Sequence, residues 1–279
     1  MTASPGPVDR LIARLPPPAV AVDGRGDWAA AERTLGTRLP DDYKRLVETY
    51  GRGDFWDALC LCTPFGDANP VRLAADLAED YGPLRESAPE DYPYPLFPEP
   101  GGLLAWAVTD CGGHVCWLTE GAPASWPVIV WSRDDDHERF DCSAAEFLDG
   151  WTDRRVSSEI LAVEPDLAPW FDAALPMDHV YIRLGEGRLA YDERLSILRT
   201  ALGPTADRGS YEHDSHRQDR FLSARTGWLF TYETAYGHTL RVAFPRADSA
   251  AARRAVLDAA GRTGCAVLSC DTVHGTSSW

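Results

Sequence analysis

The sequence has 279 residues, which is enough for two domains of ordinary size, each with its own core. Its 44% hydrophobic and 25% charged content is typical of a globular chain and excludes an intrinsically disordered one. The formal charge of −16 argues against nucleic acid or an anionic membrane as the partner, because phosphate groups bind positive surfaces.

The N-terminal part of the chain predicts a linker followed by two helices. Residues 1–26 form a proline-rich segment, and its stretch LPPPAV is typical of a linker. A further short helix is predicted in the residues that open this segment. A first domain is predicted over residues 27–160 and begins with a helix at Trp28. The next helix has Pro40 in its first turn and ends at Gly51.

The tripeptide Gly51-Arg52-Gly53 could be read as a phosphate-binding loop or as a helix stop. Phosphate loops precede a helix and use its N-terminal amides, whereas this tripeptide follows one. The residues after it, DFWDAL, contain acidic side chains and no lysine. The order of elements therefore favours the helix stop.

The rest of the first domain alternates strands with two further helices. Ser143 and Glu146 are spaced as a capping box and predict the start of the last helix. The prolines of SAPEDYPYPLFPEPGG predict an irregular loop. This order predicts an α+β domain with helices against a largely antiparallel sheet. Its strands are expected at 58–63, 103–108, 114–118 and 127–131, with a short strand near Phe140 and a helix at 69–86.

A smaller α+β domain of open role is predicted over residues 164–279. Its elements follow the order β-α-β-β-α-β, with one uncertain strand near Tyr211 or Phe221. This order resembles a ferredoxin-like sandwich. The elements are strands at 180–184, 228–233, 239–244 and 265–270 and helices at 192–202 and 249–261.

Cysteine usage and the N-terminus indicate a reducing compartment. Seven cysteines are an odd number without the spacing of a disulfide framework. The N-terminus lacks a basic segment followed by an apolar core, and no apolar run approaches a membrane span of about 18 residues. We therefore expect a cytoplasmic protein.

Neither a cofactor nor a catalytic motif is predicted. The G-x-S-x-G elbow, the H-E-x-x-H pair and the zinc-deaminase pattern are all absent from the sequence. The spacings C-x-C and C-G-G-H-V-C differ from those of zinc knuckles, so buried thiols are favoured over a metal site. Whether these residues ever bind metal stays open at this point: Cys60, Cys62, Cys111, His114 and Cys116.

Five motifs of the first domain occur in a recognisable order. They are L-P-D-D-Y-K from Leu39, Y-G at Tyr50, G-G-L-L-A-W from Gly101, C-W at Cys116 and W-P-V at Trp126. Together they resemble the Smi/Knr-type domain of the SUKH superfamily over residues 27–153. The resemblance implies a non-catalytic α+β domain that works by binding. Its members are mostly bacterial immunity proteins that neutralise toxins, often basic nucleases or deaminases, and some relatives act in fungal cell-wall regulation.

The distribution of charge points to the same kind of partner. Up to Ala162 the chain has 28 acidic and 14 basic residues, whereas the remainder has 15 and 13. An acidic surface steers basic partners toward it, although it can also serve solubility alone. We expect a basic protein toxin or effector domain as the partner, and neither nucleic acid nor a membrane; the oligomeric state is left open.

Acidic and aromatic side chains suit contacts with such a partner. A regulatory scaffold without a toxin partner is the alternative function, and an enzyme with a site between the two halves is a third. The candidate partner-binding residues are Asp54 and Asp57, the loop aromatics Tyr92, Tyr94 and Phe97, which we expect to be exposed, and Asp134, Asp135, Asp136 and Glu138, which we expect to form one acidic loop.

Overall fold

The segment between Pro40 and Gly51 forms a helix whose two ends follow from its sequence. The computed structural model describes residues 4–67, 69–134, 136–273, 275 and 279 of the chain. Pro40 is the N-cap, one position earlier than predicted, and Asp41 and Asp42 place negative charge in the first turn. Gly51 ends the helix at φ +68°, where a Cβ would lie 2.4 Å from the Val22 carbonyl oxygen. Only glycine fits this position, so the predicted helix stop is confirmed.

Three other helices of the first part begin at capping side chains, whereas the first helix begins after Gly6, which has none. Asp27 and Asn69 each accept a hydrogen bond from a backbone amide of the first turn. Ser143 and Glu146 form the predicted capping box. The helices are α1 (Pro7–Arg14), α2 (Trp28–Leu35), α3 (Asp41–Tyr50), α4 (Pro70–Ser87) and α5 (Ala144–Thr152).

Seven strands of the described residues form the first sheet, and every neighbouring pair is antiparallel. The strands are β1 (Gly53–Phe55), β2 (Leu59–Leu61), β3 (Leu103–Thr109), β4 (His114–Leu118), β5 (Val128–Trp131), β6 (His137–Phe140) and β7 (Phe171–Ala173). The order across the sheet is β6-β5-β4-β3-β2-β1-β7, so all strands but β7 follow the chain order.

One face of this sheet carries an aromatic core. Tyr43 of α3 lies edge-on to Trp117 of β4, with ring centroids 4.8 Å apart, and Trp106 stacks on Trp117 at 5.8 Å. All three side chains are fully buried. The Tyr43 hydroxyl donates a hydrogen bond of 2.7 Å to the Cys62 carbonyl oxygen, which ties the helix to the sheet.

The opposite face is covered by α4 and by the proline-rich loop that follows it. Leu73, Leu77 and Tyr81 of α4 are buried there, whereas Val71 is 41% exposed. The loop folds back on the sheet, because Leu96 forms a parallel bridge with Leu103. The loop therefore contributes to the core even though its prolines prevent regular structure.

A buried carboxylate joins the N-terminal helix to α5. The Asp149 side chain is fully buried and accepts hydrogen bonds from Arg10 at 2.7 Å, Arg14 at 3.1 Å and Arg155 at 2.8 Å. Arg14 and Arg155 also pair with Asp153, which is 41% exposed. The helix α1, within the proline-rich segment that was predicted as a linker, is therefore held to α5 by ionic contacts.

Among its described residues, the second part of the chain forms a six-stranded antiparallel sheet with two helices. Both candidate positions for the uncertain strand, Tyr211 and Phe221, lie in strands, so the hairpin that these two strands form is additional to the predicted elements. The elements are β8 (Met177–Leu184), α6 (Tyr191–Leu202), β9 (Thr205–His213), β10 (His216–Ser223), β11 (Leu229–Glu233), β12 (Thr239–Pro245), α7 (Ser249–Arg262) and β13 (Val267–Thr272).

The strand order of this second sheet is β13-β8-β12-β11-β10-β9. Without the added hairpin, β8, α6, β11, β12, α7 and β13 follow the β-α-β-β-α-β order of a ferredoxin-like sandwich. The apolar residues of one sheet face pack with Leu198 of α6 and Val256 of α7. The predicted resemblance therefore describes the core of this part, and β9–β10 extends its sheet.

The chain divides into two units that differ slightly from the predicted domains. The sequence predicts a second domain from residue 164, but β7 pairs with β1 through Phe171, Asp172 and Ala173. The first unit comprises Met1–Val163 and Ala168–Ala174, and the second comprises Glu164–Leu167 and Leu175–Trp279. Strand pairing thus assigns seven residues beyond position 164 to the first unit.

Candidate protein-binding surface

The acidic loop between β5 and β6 is shaped by one serine. The Ser132 hydroxyl oxygen accepts hydrogen bonds from the backbone amides of Asp134 at 3.1 Å and Asp136 at 3.0 Å. Both aspartates are exposed, so their carboxylates face solvent. Asp135, the predicted aspartate between these two, lies outside the described residues. Glu138 is not part of the loop as predicted, because β6 begins at His137.

An aromatic cluster lies directly beside this loop. Trp131 is buried and is stacked between Tyr92 at 5.9 Å and His137 at 4.8 Å. Tyr94 packs edge-on against both Trp131 and His137, at 5.9 Å and 5.3 Å. The exposed His137 ring is therefore held in one orientation next to the acidic loop.

The predicted exposure of the loop aromatics is wrong for Tyr92. Its side chain is only 6% exposed because the proline-rich loop folds onto the sheet and places the ring against Trp131. Tyr94 and Phe97 are half-buried rather than exposed. Of the three, Tyr94 is the one placed against the exposed His137, so it belongs to the candidate surface.

A groove of about 560 Å³ opens beside the acidic loop, and we call it the acidic groove. Glu138 shapes it by accepting hydrogen bonds from the Ser158 hydroxyl and from the Glu159 amide, the latter at 2.8 Å. These bonds hold the exposed Glu159 at the groove, a residue that sequence reasoning missed. The charged residues lining it are Arg133, Asp134, Asp136, Glu138 and Glu159, with His137 between them.

The predicted residues Asp54 and Asp57 do not belong to the same surface. Asp54 lies on β1, five strands away from β6 in the sheet order, which corresponds to about 24 Å at normal strand spacing. Asp57 lies in the turn after β1 at φ +57°, and both carboxylates are half-buried. The sequence prediction therefore combined two separate groups of residues.

Burial raises the pKa of Asp54 from 3.8 to about 6, and the nearby Asp57 and Asp172 add to the shift. A folded-state pKa above the unfolded one gives a stabilising contribution that is complete below pH 3.8 and lost as the pH rises through about 6. At pH 8 the folded protein therefore contains an unfavourable carboxylate.

We expect Asp54→Asn to raise the free energy of unfolding at pH 8 by about 1–2 kcal/mol, after allowing for partial exposure, and to change it little at pH 4. Urea unfolding at both pH values measures this difference. Asp41→Asn is the control, because Asp41 is 88% exposed in the first turn of α3. Equal effects of Asp54→Asn at pH 4 and pH 8 would contradict the assigned shift.

The cysteines of the first sheet lie among apolar and carboxylate neighbours. Cys62 and Cys116 are fully buried, Cys60 is half-buried and Cys111 is exposed. Burial raises the pKa of Cys116 and lowers that of His114. A hydrogen bond with the Cys60 thiol lowers the pKa of Cys62, and the same bond raises that of Cys60. Within the described residues, no three His, Cys, Asp or Glu side chains are grouped to hold a metal ion.

Comparison with known proteins gives one match. Residues 25–148 match the SUKH_6 family, described as SMI1-KNR4 cell-wall. Neither the curated proteins nor the solved structures gave a match. The first unit of this chain therefore contains an SMI1/KNR4 domain of the SUKH type, and the expected resemblance is confirmed.

This class of domain is generally found in toxin-immunity or cell-wall-related proteins and is generally non-catalytic. The match ends at residue 148, so the second unit lies outside it. None of the helices in the described residues has the length and apolar composition needed to cross a membrane.

Proposed function

We propose that this chain is a non-catalytic immunity protein that neutralises a basic toxin effector, such as a nuclease or deaminase, by direct binding. The observation that carries the proposal is the acidic groove on a domain of the SUKH type. Its rim presents exposed Asp134, Asp136 and Glu159 together, although they come from two distant segments of the chain.

Charge and rigidity both favour a basic partner at this groove. A concave site lined by carboxylates concentrates the electric field and accelerates the approach of a cationic surface. The backbone bonds to Ser132 and Glu138 fix the rim before a partner arrives, which reduces the ordering entropy lost on binding. His137 and Tyr94 supply the aromatic surface on which arginine side chains pack well.

The first test measures binding of the purified chain to the protein products of its neighbouring genes at low and high salt. We expect one stoichiometric basic partner whose toxicity in cells this chain suppresses. The double variant Asp134→Asn/Asp136→Asn is expected to weaken that binding about 10-fold to 100-fold at low salt, because each tenfold loss corresponds to about 1.4 kcal/mol.

The matched control is Glu212→Gln/Asp214→Asn, which removes the same charge from exposed positions of the second unit. This control is expected to bind like the wild type. If both double variants weaken binding equally, net charge rather than the acidic groove is responsible. If no neighbouring product binds and no toxicity is suppressed, the immunity role is wrong.

The alternative is a regulatory scaffold that recruits host proteins without a toxin partner. Its support is the cell-wall description of the matched family. A scaffold is expected to retain several weak partners whose binding is insensitive to salt, so the same binding experiment separates the two functions.

A further inference from the structure

The second unit contains a groove of about 540 Å³ between α6 and β10, which we call the α6 groove. Five of its lining residues lie on one face of α6, because they recur at the helical spacing of about 3.6 residues. β10 belongs to the hairpin that is added to the ferredoxin-like order, so this addition creates the groove. The lining residues are Asp192, Leu195, Ser196, Arg199, Thr200 and Asp219.

Asp219 places a buried carboxylate at the α6 groove, since the residue is only 7% exposed. The Tyr191 hydroxyl donates to its Oδ2 atom at 2.8 Å, but the same hydroxyl lies 2.9 Å from the Tyr232 carbonyl oxygen, so two acceptors share one proton. Among the described residues, no donor bonds to the Oδ1 atom of Asp219. A buried carboxylate oxygen without a donor costs free energy, which a ligand that supplies a donor would recover.

The charge beside Asp219 is only partly compensated. The Arg217 guanidinium lies 3.9 Å from Asp219 but closer to Asp192, at 2.7 Å, and to Glu212, at 3.5 Å. One cation is therefore shared by three carboxylates. Water can solvate the exposed Asp192 and Glu212, whereas the buried Asp219 has little contact with it.

Arg199 also lines the α6 groove, but its charge is already engaged. Its guanidinium pairs with Asp207 of β9 and lies 5.2 Å from the centroid of the Phe221 ring. It therefore leaves the charge of Asp219 without a close cation.

We propose that the α6 groove binds a primary ammonium group carried on an alkyl chain, either a small amine or the lysine side chain of a peptide. An ammonium group has three N–H donors, and the groove offers it the Oδ1 atom of Asp219 and the exposed hydroxyls of Ser196 and Thr200. The half-buried Leu195 provides apolar surface for the alkyl chain. The bond to Asp219 is charge-assisted and shielded from water, so it supplies most of the affinity.

The test is an NMR titration of the full isotope-labelled chain at low salt with two probes, n-butylammonium chloride and Nα-acetyl-lysine amide. We expect the backbone amide signals of Ser196, Thr200 and Asp219 to shift and saturate. The dissociation constant should be about 1 mM, because a ligand of so few atoms makes few contacts. The neutral control is Nα-acetyl-lysine amide acetylated on its side-chain nitrogen, which should not bind.

Variants locate the charge that is responsible. Asp219→Asn keeps the shape of the side chain and removes its charge, so it should raise the dissociation constant at least about tenfold. Asp258→Asn is the matched control, because it removes the same charge from an exposed position of α7 and should bind like the wild type. Ser196→Lys puts a tethered ammonium at the exposed rim and should block both probes, and it replaces Asp219→Asn if circular dichroism shows that the latter fails to fold.

The two probes separate the two sources of the ammonium group. Saturable binding of Nα-acetyl-lysine amide supports the proposal and shows that the groove admits a lysine side chain carried by a peptide. Binding of n-butylammonium alone supports it with a free amine as the ligand. The proposal is overturned if neither probe saturates up to about 20 mM, or if the neutral analogue binds equally well. Unchanged binding in Asp219→Asn or in Ser196→Lys overturns it as well.

Discussion

Asp149→Ala is expected to lower the free energy of unfolding by about 3–5 kcal/mol, because it removes the carboxylate from a buried ion network. The Asp149 side chain is fully buried and holds Arg10, Arg14 and Arg155 within 2.7 to 3.1 Å. Without it, the three guanidinium groups repel one another and lose their shared acceptor. Chemical unfolding monitored by tryptophan fluorescence measures the change.

Asp153→Ala is the matched control for this prediction. Asp153 contacts Arg14 and Arg155 in the same network but is 41% exposed, so water can replace it. We expect it to lower the free energy of unfolding by less than about 1 kcal/mol. Similar losses for the two variants would show that burial of Asp149 has no special role in holding α1 to α5.

Trp117→Ala is expected to lower the free energy of unfolding by about 3–5 kcal/mol, as for Asp149→Ala, because removal of the indole ring leaves a cavity. The Trp117 ring is fully buried and contacts Tyr43, Trp106 and Trp126, with centroids between 4.8 and 5.9 Å away. The surrounding rings are large and rigid, so they cannot close the space.

Trp117→Phe tests the cavity explanation, because it keeps a ring at the position and should lose less than half as much stability. Tyr236→Ala, at an exposed position, should change the free energy of unfolding by less than about 0.5 kcal/mol. Equal losses for Trp117→Ala and Trp117→Phe would point instead to an interaction specific to the indole. The measurement is the same unfolding curve, followed by circular dichroism because Trp117 is itself a fluorophore.

The motifs that identify the SMI1/KNR4 domain are mainly core residues. Tyr43, Trp106 and Trp117 are fully buried, whereas Asp134 and Glu159 at the acidic groove lie outside the motifs. A domain built in this way can change the residues at the acidic groove without changing its core. The family match therefore predicts the fold more directly than it predicts the partner.

The elements whose signals are local follow from the amino-acid sequence alone. α3 follows from acidic residues after Pro40 and from Gly51, and α5 follows from the capping box of Ser143 and Glu146. The β3–β4 hairpin follows from two apolar runs around Gly112 and Gly113. In each case the interacting residues are close along the chain, so their spacing carries the information.

The features that depend on partners elsewhere in the chain become visible only in the folded protein. Tyr92 is buried by stacking on Trp131, and β7 forms because Asp172 pairs with Asp54 far earlier in the chain. Glu159 reaches the acidic groove through Glu138. A short polar or aromatic segment has no periodicity that reveals such contacts, since the apolar surface and backbone groups it meets are supplied by another part of the fold.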